Sequence, residues 1–178
     1  MTLETEAKRQ VARPQIDISI QDPAWHELQD IENIVHIAAE ITLTTAIMPK
    51  EAFERDLEVS IVLANDDLLH VLNREYRGQD KPTNVLTFAT LDAEEPPSES
   101  VLNLGDVLLS FQTVERECQE QGKFRTDHIR HLVIHGILHL LGYDHKDEDE
   151  ATDMETLEIR ILERLGVQNP YVDMDFVL

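Results

Sequence analysis

The sequence of 178 residues has one cysteine, no long hydrophobic run and far fewer basic than acidic residues. A single cysteine, Cys118, cannot form a disulfide within the chain, which agrees with a reducing, cytoplasmic location. No apolar run approaches the roughly 20 residues that a membrane-spanning helix needs, so no membrane association is expected. Residues 1–13 contain no apolar segment of the kind found in signal peptides, and we expect them to be loosely ordered. Residues 14–178 are predicted to form a single compact domain.

The shortage of basic residues limits the binding partners. The formal net charge is −21, and the field of such a protein repels nucleic acid. Basic residues nevertheless gather in two groups, which are Arg74, Arg77 and Lys81, and Lys123, Arg125 and Arg130. Nucleic-acid binding is therefore consistent with this charge only if both groups line the functional cleft while the acidic segments face solvent elsewhere.

Four short segments have the composition of β-strands. Residues 16–20 (IDISI) alternate apolar and polar side chains, as a half-buried strand does. The other three segments are residues 59–63, 85–89 and 107–109. Carboxylates and two adjacent prolines lie between the last two segments, which predicts a solvated loop that closes a hairpin.

Five helices are predicted around these strands. Asp22 and Pro23 supply an N-cap and a first-turn proline, so a long first helix is expected to begin there, with Trp25 in the core. The other four helices are one capped by Asn65 or Asp66, one over residues 111–121 that ends at Gly122, one that begins at Thr126 or Asp127, and one over residues 148–165. Strands interspersed with helices predict an α/β or α+β domain.

The run of residues 135–145 (HGILHLLGYDH) predicts a metal site at the end of a helix. His135 and His139 are four residues apart and therefore project from the same helical face. Gly142 allows the helix to end in a left-handed turn, which can return His145 to the same point. Three neutral imidazoles leave one position of a tetrahedral zinc ion open, as in catalytic zinc sites.

The residue after the first histidine argues against peptidase activity. Zinc peptidases with this ligand spacing have a glutamate there, which acts as the general base. This chain has Gly136, which cannot accept a proton. We therefore expect the base or the transition-state stabiliser to come from another part of the chain.

Three further features lie near the histidine run. His131, one turn before His135, is interpreted as a packed residue rather than one that supports a metal ligand. Asp144 either orients an imidazole or caps the turn. The acidic run between Asp147 and Glu163 is interpreted as a solvated face of the last helix and not as a metal site.

Several segments together resemble the YbeY family of bacterial endoribonucleases. The histidine run resembles the family's signature. Residues 72–77 (LNREYR) and 80–88 (DKPTNVLTF) resemble its central block, and residues 104–106 (LGD) resemble a third block. Asn84 stands where aspartate is also common and Thr87 where serine is usual, and neither position is among the metal ligands.

The resemblance implies a site, a fold and a function. By this resemblance His135, His139 and His145 hold one Zn²⁺ per chain, and Arg77 is essential for catalysis. The implied fold is a compact α/β domain whose small mixed sheet, with the four strands above, is packed by helices. The implied activity is metal-dependent cleavage of single-stranded RNA in the cytoplasm, with ribosomal RNA and ribosomal particles as partners, in small-subunit 3′-end maturation and ribosome quality control.

Two other functions remain as alternatives. One is a ribosome assembly factor without enzymatic activity, in which the metal only stabilises the fold. The other is a metal-dependent hydrolase of another substrate, such as a metallopeptidase. For the nuclease, either water or the RNA 2′-hydroxyl can serve as the nucleophile.

Overall fold

The computed structural model describes residues 13–46, 55–90 and 101–172. In chain order its elements are β1 (Gln15–Ile20), a 3₁₀ helix (Pro23–Glu27), α1 (Ile31–Thr45), β2 (Asp56–Ala64), α2 (Asp66–Arg77), β3 (Val85–Ala89), β4 (Val101–Ser110), α3 (Phe111–Gln121), α4 (Arg125–Leu140) and α5 (Glu148–Arg164). The predicted α/β class is confirmed. Residues 1–12 lie outside the described residues, so the loosely ordered N-terminus stays a prediction. No helix within the described ranges combines the length and the apolar character that crossing a membrane requires.

The four strands form one mixed sheet in the order β1-β2-β4-β3. β1, β2 and β4 are parallel, whereas β3 runs antiparallel to β4, with Val85 opposite Leu109 and Ala89 opposite Gly105. This pairing agrees with the predicted hairpin, although its connecting loop over residues 91–100 lies outside the described part of the chain. β3 is consequently an edge strand of the sheet.

The two faces of the sheet are covered unequally. Most buried side chains lie on the face that packs against α1, α3, α4 and α5, with Val59, Ile61 and Leu63 of β2 at its centre. The opposite face is covered by α2 and holds a smaller apolar cluster that includes Leu69 and Leu86. α4 is therefore a buried helix and α2 a helix on the surface of the sheet.

The first helix differs from the prediction. Asp22 caps the chain as expected, accepting a hydrogen bond of 2.9 Å from the Ala24 amide, but only a short 3₁₀ helix follows. Leu28 is extended, Asp30 has a φ of 58°, and α1 begins only at Ile31. Trp25 is in the core as predicted, and its Nε1 donates to the Ala64 carbonyl at 2.8 Å. Because this anchor fixes the first turn at the end of β2, the chain bends before α1 can pack on the sheet.

The remaining boundaries need two corrections. α4 begins at Arg125, slightly before the predicted Thr126 or Asp127, and no side chain caps it. Asn65 does cap α2, accepting from the Leu68 amide at 3.0 Å, and Asp147 caps α5 through the Glu150 amide at 2.8 Å. The predicted strands also extend further, because β4 begins at Val101 rather than near residue 107.

Candidate metal centre

The histidine-bearing helix α4 lies against the sheet through a glycine. Gly136 is buried, and a Cβ at that position would lie 2.6 Å from Cγ1 of Val107 and 3.4 Å from Cγ2 of Thr87. A larger residue there would push α4 away from β4 and β3. The glycine that replaces the peptidase base is therefore explained by packing, and a side chain from this position would point into the sheet.

The turn after α4 has the form that the sequence predicted. The Tyr143 amide donates to the Leu138 carbonyl and the Gly142 amide to the His139 carbonyl, each at 3.0 Å, which is the Schellman arrangement. Gly142 has a φ of 97°, a conformation that residues with a Cβ rarely adopt. This turn reverses the chain and returns His145 toward α4.

The structure brings the three predicted histidines together. One ring nitrogen from each of His135, His139 and His145 lies within 4.8 Å of the others. The Nε2 atoms of His135 and His139 are 3.0 Å apart, and the His145 ring centroid is 5.8 Å from that of His135 and 5.1 Å from that of His139. His145 is exposed, whereas the other two are partly buried, so the cluster opens to solvent on the side of His145.

In both helical histidines, His135 and His139, the Nδ1 atom already forms a hydrogen bond within the protein. Nδ1 of His139 donates to the Tyr143 carbonyl at 3.0 Å, and Nδ1 of His135 donates to a carboxylate oxygen of Glu158. A neutral imidazole that donates through Nδ1 carries a lone pair on Nε2. Both lone pairs then face each other across 3.0 Å, an arrangement that repels unless a cation lies between the rings. The donor set therefore fits a divalent metal ion.

The protonation of His139 also suits a ligand. Burial, together with the neighbouring His135 and His145, lowers the pKa of His139 from 6.5 to about 4. The imidazole is thus neutral at pH 7, the form that binds metal. Among the described residues, the metal-competent group that contains His139 has three members.

Glu158 of α5 is a site residue that the sequence interpretation missed. Its side chain is fully buried, and its carboxylate bonds His135, His131 Nε2 at 3.0 Å and the Tyr171 hydroxyl. The view of the acidic run as a solvated face is wrong at this position. A signal was present, because Glu158 falls between Met154 and Ile161 on the apolar stripe of α5.

Hydrogen bonding keeps this buried carboxylate charged. Burial by itself raises the pKa of Glu158, but the bonds from His131 and His135 outweigh it and bring the pKa to about 2. Burial and the contact with Glu158 raise the pKa of Tyr171, so its hydroxyl remains a donor. His131 is therefore not merely packed, since it shares the carboxylate that holds His135 in place. The group His131, His135 and Glu158 is also metal-competent in its geometry.

Asp144 caps the turn, the second of its two expected roles. Its Oδ1 accepts from the His145 amide at 2.8 Å, and its Oδ2 lies 3.0 Å from Lys146 Nζ. The hydrogen bond from Lys146, followed by that from the His145 amide, lowers the pKa of Asp144. The carboxylate therefore fixes the backbone of the third histidine rather than its imidazole.

Arg77 lies at the end of α2, beside the edge strand β3. Its Nη2 donates to the Thr87 carbonyl at 2.8 Å, and its guanidinium carbon lies 5.5 Å from the Phe88 ring centroid. Because Thr87 also packs against Gly136, one residue connects Arg77 to the helix that carries the histidines. The guanidinium is exposed beside this connection and has further N–H groups to offer.

The second basic group lies elsewhere. Arg125 begins α4 and pairs with Glu115 at 2.5 Å, and Arg130 pairs with Asp127 at 3.3 Å. These residues belong to the first half of α4, whereas the histidines occupy its second half and the following turn. The expectation that both basic groups line the cleft is therefore wrong for the second group, and only Arg77 contacts a residue, Thr87, that lies against the histidine-bearing helix.

Fold and site together define a class, a small α/β protein with a candidate metal centre on a buried helix. A family model described as endoribonuclease YbeY matches residues 19–166, and the chain belongs to the YbeY family. The endoribonuclease YbeY of Paramagnetospirillum magneticum is 47% identical over 160 residues, which cover 88% of this chain and 95% of that protein. That of Rhodospirillum rubrum is 58% identical over 120 residues, covering 66% of this chain and 60% of the relative.

A solved structure is similar in fold. The solution structure of a Thermotoga maritima protein aligns with a TM-score of 0.55 and 26% sequence identity. The alignment covers 85% of this chain and 89% of that protein. The overall fold is thus similar to that of an experimentally determined structure.

Proposed function

We propose that this chain is a metal-dependent endoribonuclease that cleaves single-stranded RNA and acts in ribosomal RNA processing in the cytoplasm. His135, His139 and His145 bind one Zn²⁺ per chain, and Arg77 is a catalytic residue. The specific steps proposed are maturation of the 3′ end of small-subunit ribosomal RNA and ribosome quality control. The convergence of three imidazole nitrogens, in a chain of the YbeY family, carries the proposal.

Zinc is proposed because of the donor set. Imidazole nitrogens suit zinc and other late first-row metals, whereas magnesium and calcium prefer oxygen ligands. When bound by neutral ligands, a zinc ion supplies a Lewis acid for a phosphate oxygen and lowers the pKa of a coordinated water. Glu158 and the Tyr143 carbonyl orient the imidazoles before the metal binds, which reduces the cost of assembling the site.

Arg77 is proposed to bind the scissile phosphate. One of its terminal nitrogens is held by the Thr87 carbonyl, so the guanidinium is oriented at the edge of β3. The remaining donors form a planar fork that matches two phosphate oxygens, which lysine cannot reproduce. Positive charge placed there stabilises the additional negative charge that develops on the phosphate during cleavage.

Single-stranded RNA is the proposed substrate because of the shape of RNA duplexes. In A-form RNA the major groove is too narrow and deep for side chains to read, whereas unpaired segments expose their bases.

The chemistry of the products identifies the nucleophile. Attack by the 2′-hydroxyl leaves a 2′,3′-cyclic phosphate and a 5′-hydroxyl, whereas attack by water leaves no cyclic phosphate.

The test combines metal analysis with cleavage of a ribosomal RNA precursor. Purified protein is expected to contain about one zinc ion per chain and to cut the precursor in unpaired regions. Arg77→Glu should retain zinc and lose cleavage, and Arg77→Lys should retain charge but recover little activity. Casein serves as the control substrate and should stay intact.

Two results would contradict the proposal. Stoichiometric zinc in a triple variant lacking His135, His139 and His145 would show that the metal lies elsewhere. A zinc-loaded protein that binds ribosomal particles and leaves RNA intact would instead favour the assembly factor.

Peptidase activity has no support from the geometry, because Gly136 is packed against Val107 and offers no base.

A further inference from the structure

An exposed aromatic residue stands beside Arg77 at the end of α2. The Tyr76 side chain is 60% exposed, although large apolar residues of the same helix such as Leu69 are fully buried. Its ring meets Phe88 edge to face, with centroids 5.2 Å apart and an angle of 78° between the ring planes. Gly78, with a φ of 67°, ends the helix directly afterwards. The Tyr76 ring is thus positioned by its contact with Phe88 and keeps much of its surface in solvent.

This ring lies beside the edge strand β3, on the face of the sheet that α2 covers, opposite to α4. Phe88 belongs to the edge strand β3, and the preceding residue, Thr87, accepts the Arg77 hydrogen bond of 2.8 Å. Thr87 also reaches Gly136, the residue after His135. Tyr76 and the histidine-bearing helix therefore contact neighbouring residues of β3 from opposite faces of the sheet. Because β3 is an edge strand, both faces are accessible to a chain that passes over this edge.

The same edge carries free positive charge in a strongly acidic protein. Arg74, Arg77 and Lys81 are all exposed. Within the described residues, the ion pairs do not include any of these three side chains. The nearby Asp80 is engaged by His70, at 2.7 Å. In a chain with a net charge of −21, these three basic side chains reduce the local repulsion of a phosphate backbone.

We propose that Tyr76 is a stacking platform for one base of single-stranded RNA, while Arg74, Arg77 and Lys81 contact the adjacent phosphates. The inference rests on the proposed function and adds a substrate-binding residue to it. An aromatic ring combined with basic side chains is the usual arrangement for binding single strands without strong sequence preference, because every base has a π-face. If Tyr76 served only to pack against Phe88, we would expect its side chain to be buried rather than 60% exposed.

The experiment measures binding separately from cleavage. The probe is an octamer of 2′-O-methyl adenosines with a central 2-aminopurine, whose fluorescence is quenched on stacking, and gel electrophoresis checks that it stays intact. The zinc-loaded full chain is compared with Tyr76→Ala, Tyr76→Trp and Phe124→Ala. Phe124 is the matched control, because it is 78% exposed but precedes α4, roughly 20 Å from His139 at 1.5 Å per residue.

The expected results follow from stacking. Tyr76→Ala should raise the dissociation constant about tenfold and abolish the quenching, because loss of one aromatic platform typically costs about that much affinity. Tyr76→Trp should bind within about twofold of the unchanged chain, since indole also stacks. Phe124→Ala should bind as the unchanged chain does. In cleavage of unmodified RNA, Tyr76→Ala should raise KM and leave kcat nearly unchanged.

Two outcomes would overturn the inference. One is unaltered affinity and quenching in Tyr76→Ala. The other is equal loss in Tyr76→Trp and Tyr76→Ala, which would show that only the native contact with Phe88 matters. Failure of the proposed function looks different, because the unchanged chain would then bind the probe through Tyr76 and still cleave no RNA.

Discussion

Two histidines of helix α4 each pair with a glutamate of a neighbouring helix, His128 with Glu117 and His135 with Glu158, and only the second pair belongs to the candidate metal centre. Near the start of α4, His128 Nε2 lies 2.7 Å from Glu117 of α3, and Asn84 donates to both Glu117 oxygens at 3.1 Å. In its second half, His135 Nδ1 bonds the buried Glu158 of α5. The first pair joins α3, α4 and Asn84, the residue before β3, in one closed contact. The second pair leaves the other nitrogen of its histidine facing further imidazoles.

The comparison shows that a buried histidine bonded to a carboxylate need not belong to a cluster of metal-competent side chains. Nδ1 of His128 is buried and has no hydrogen-bond partner among the described residues, and no second imidazole converges on it. Nε2 of His135 faces Nε2 of His139 at 3.0 Å, with His145 beside both. What distinguishes the two regions is the number of lone pairs that meet at one point.

The largest expected effect is the loss of the metal on removal of a converging imidazole. His139→Ala should reduce bound zinc from about one ion per chain to near zero, and RNA cleavage should fall to background, because two ligands hold zinc weakly. Mass spectrometry under native conditions and a cleavage assay measure both.

The matched variant at the other pair is His128→Ala. It should keep the zinc and the activity at a temperature where circular dichroism shows it folded. If His128→Ala released the metal as fully as His139→Ala does, the distinction between the two pairs would be lost.

The next effect concerns the two carboxylates. Glu158→Gln should weaken zinc binding by roughly 10- to 100-fold, because the carboxylate orients His135 and increases the basicity of its ring. Glu117→Gln should leave the zinc affinity unchanged. Competition with a chromophoric chelator measures both constants. Equal affinities in the two variants would exclude an orienting role for Glu158.

A smaller effect tests the close approach of α4 to the sheet, next to His135. Gly136→Ala places a Cβ 2.6 Å from Val107 and should lower the free energy of unfolding by about 1–3 kcal/mol, as overpacking does. In a double-mutant cycle, Val107→Ala should relieve part of this cost. Urea unfolding supplies the values, and strictly additive losses would contradict the steric explanation.

The smallest effect is a pH dependence at the structural pair. Burial raises the pKa of Glu117, but the hydrogen bonds from His128 and Asn84 outweigh it and hold the pKa below its usual value of 4.5. A carboxylate with a lowered pKa in the folded chain stabilises the fold above its ordinary pKa, and the contribution is lost as the pH falls through the folded value. The stability difference between the unchanged chain and Glu117→Gln should therefore shrink from pH 7 to pH 3. Urea unfolding at both pH values tests this, and a constant difference would refute it.

Much of the fold was predictable because its signals are local. The alternation in residues 16–20, the caps Asn65 and Asp147, and Gly122 at the end of α3 each act within a few residues of chain. The first helix was predicted wrongly because the position of Trp25 depends on the Ala64 carbonyl, 39 residues away. No local sequence pattern indicates the hydrogen bond between Trp25 and Ala64.

The same division holds within the candidate site. His135, His139 and Gly142 determined the convergence of the three imidazoles, since helical periodicity and a left-handed turn bring close residues together whatever surrounds them. Only the tertiary structure decided that Glu158 reaches His135 across 23 residues, that Arg77 is held by Thr87, and that Gly136 is required by Val107. These contacts depend on how α5, α2 and β4 pack, and packing is a property of the assembled core rather than of any one segment.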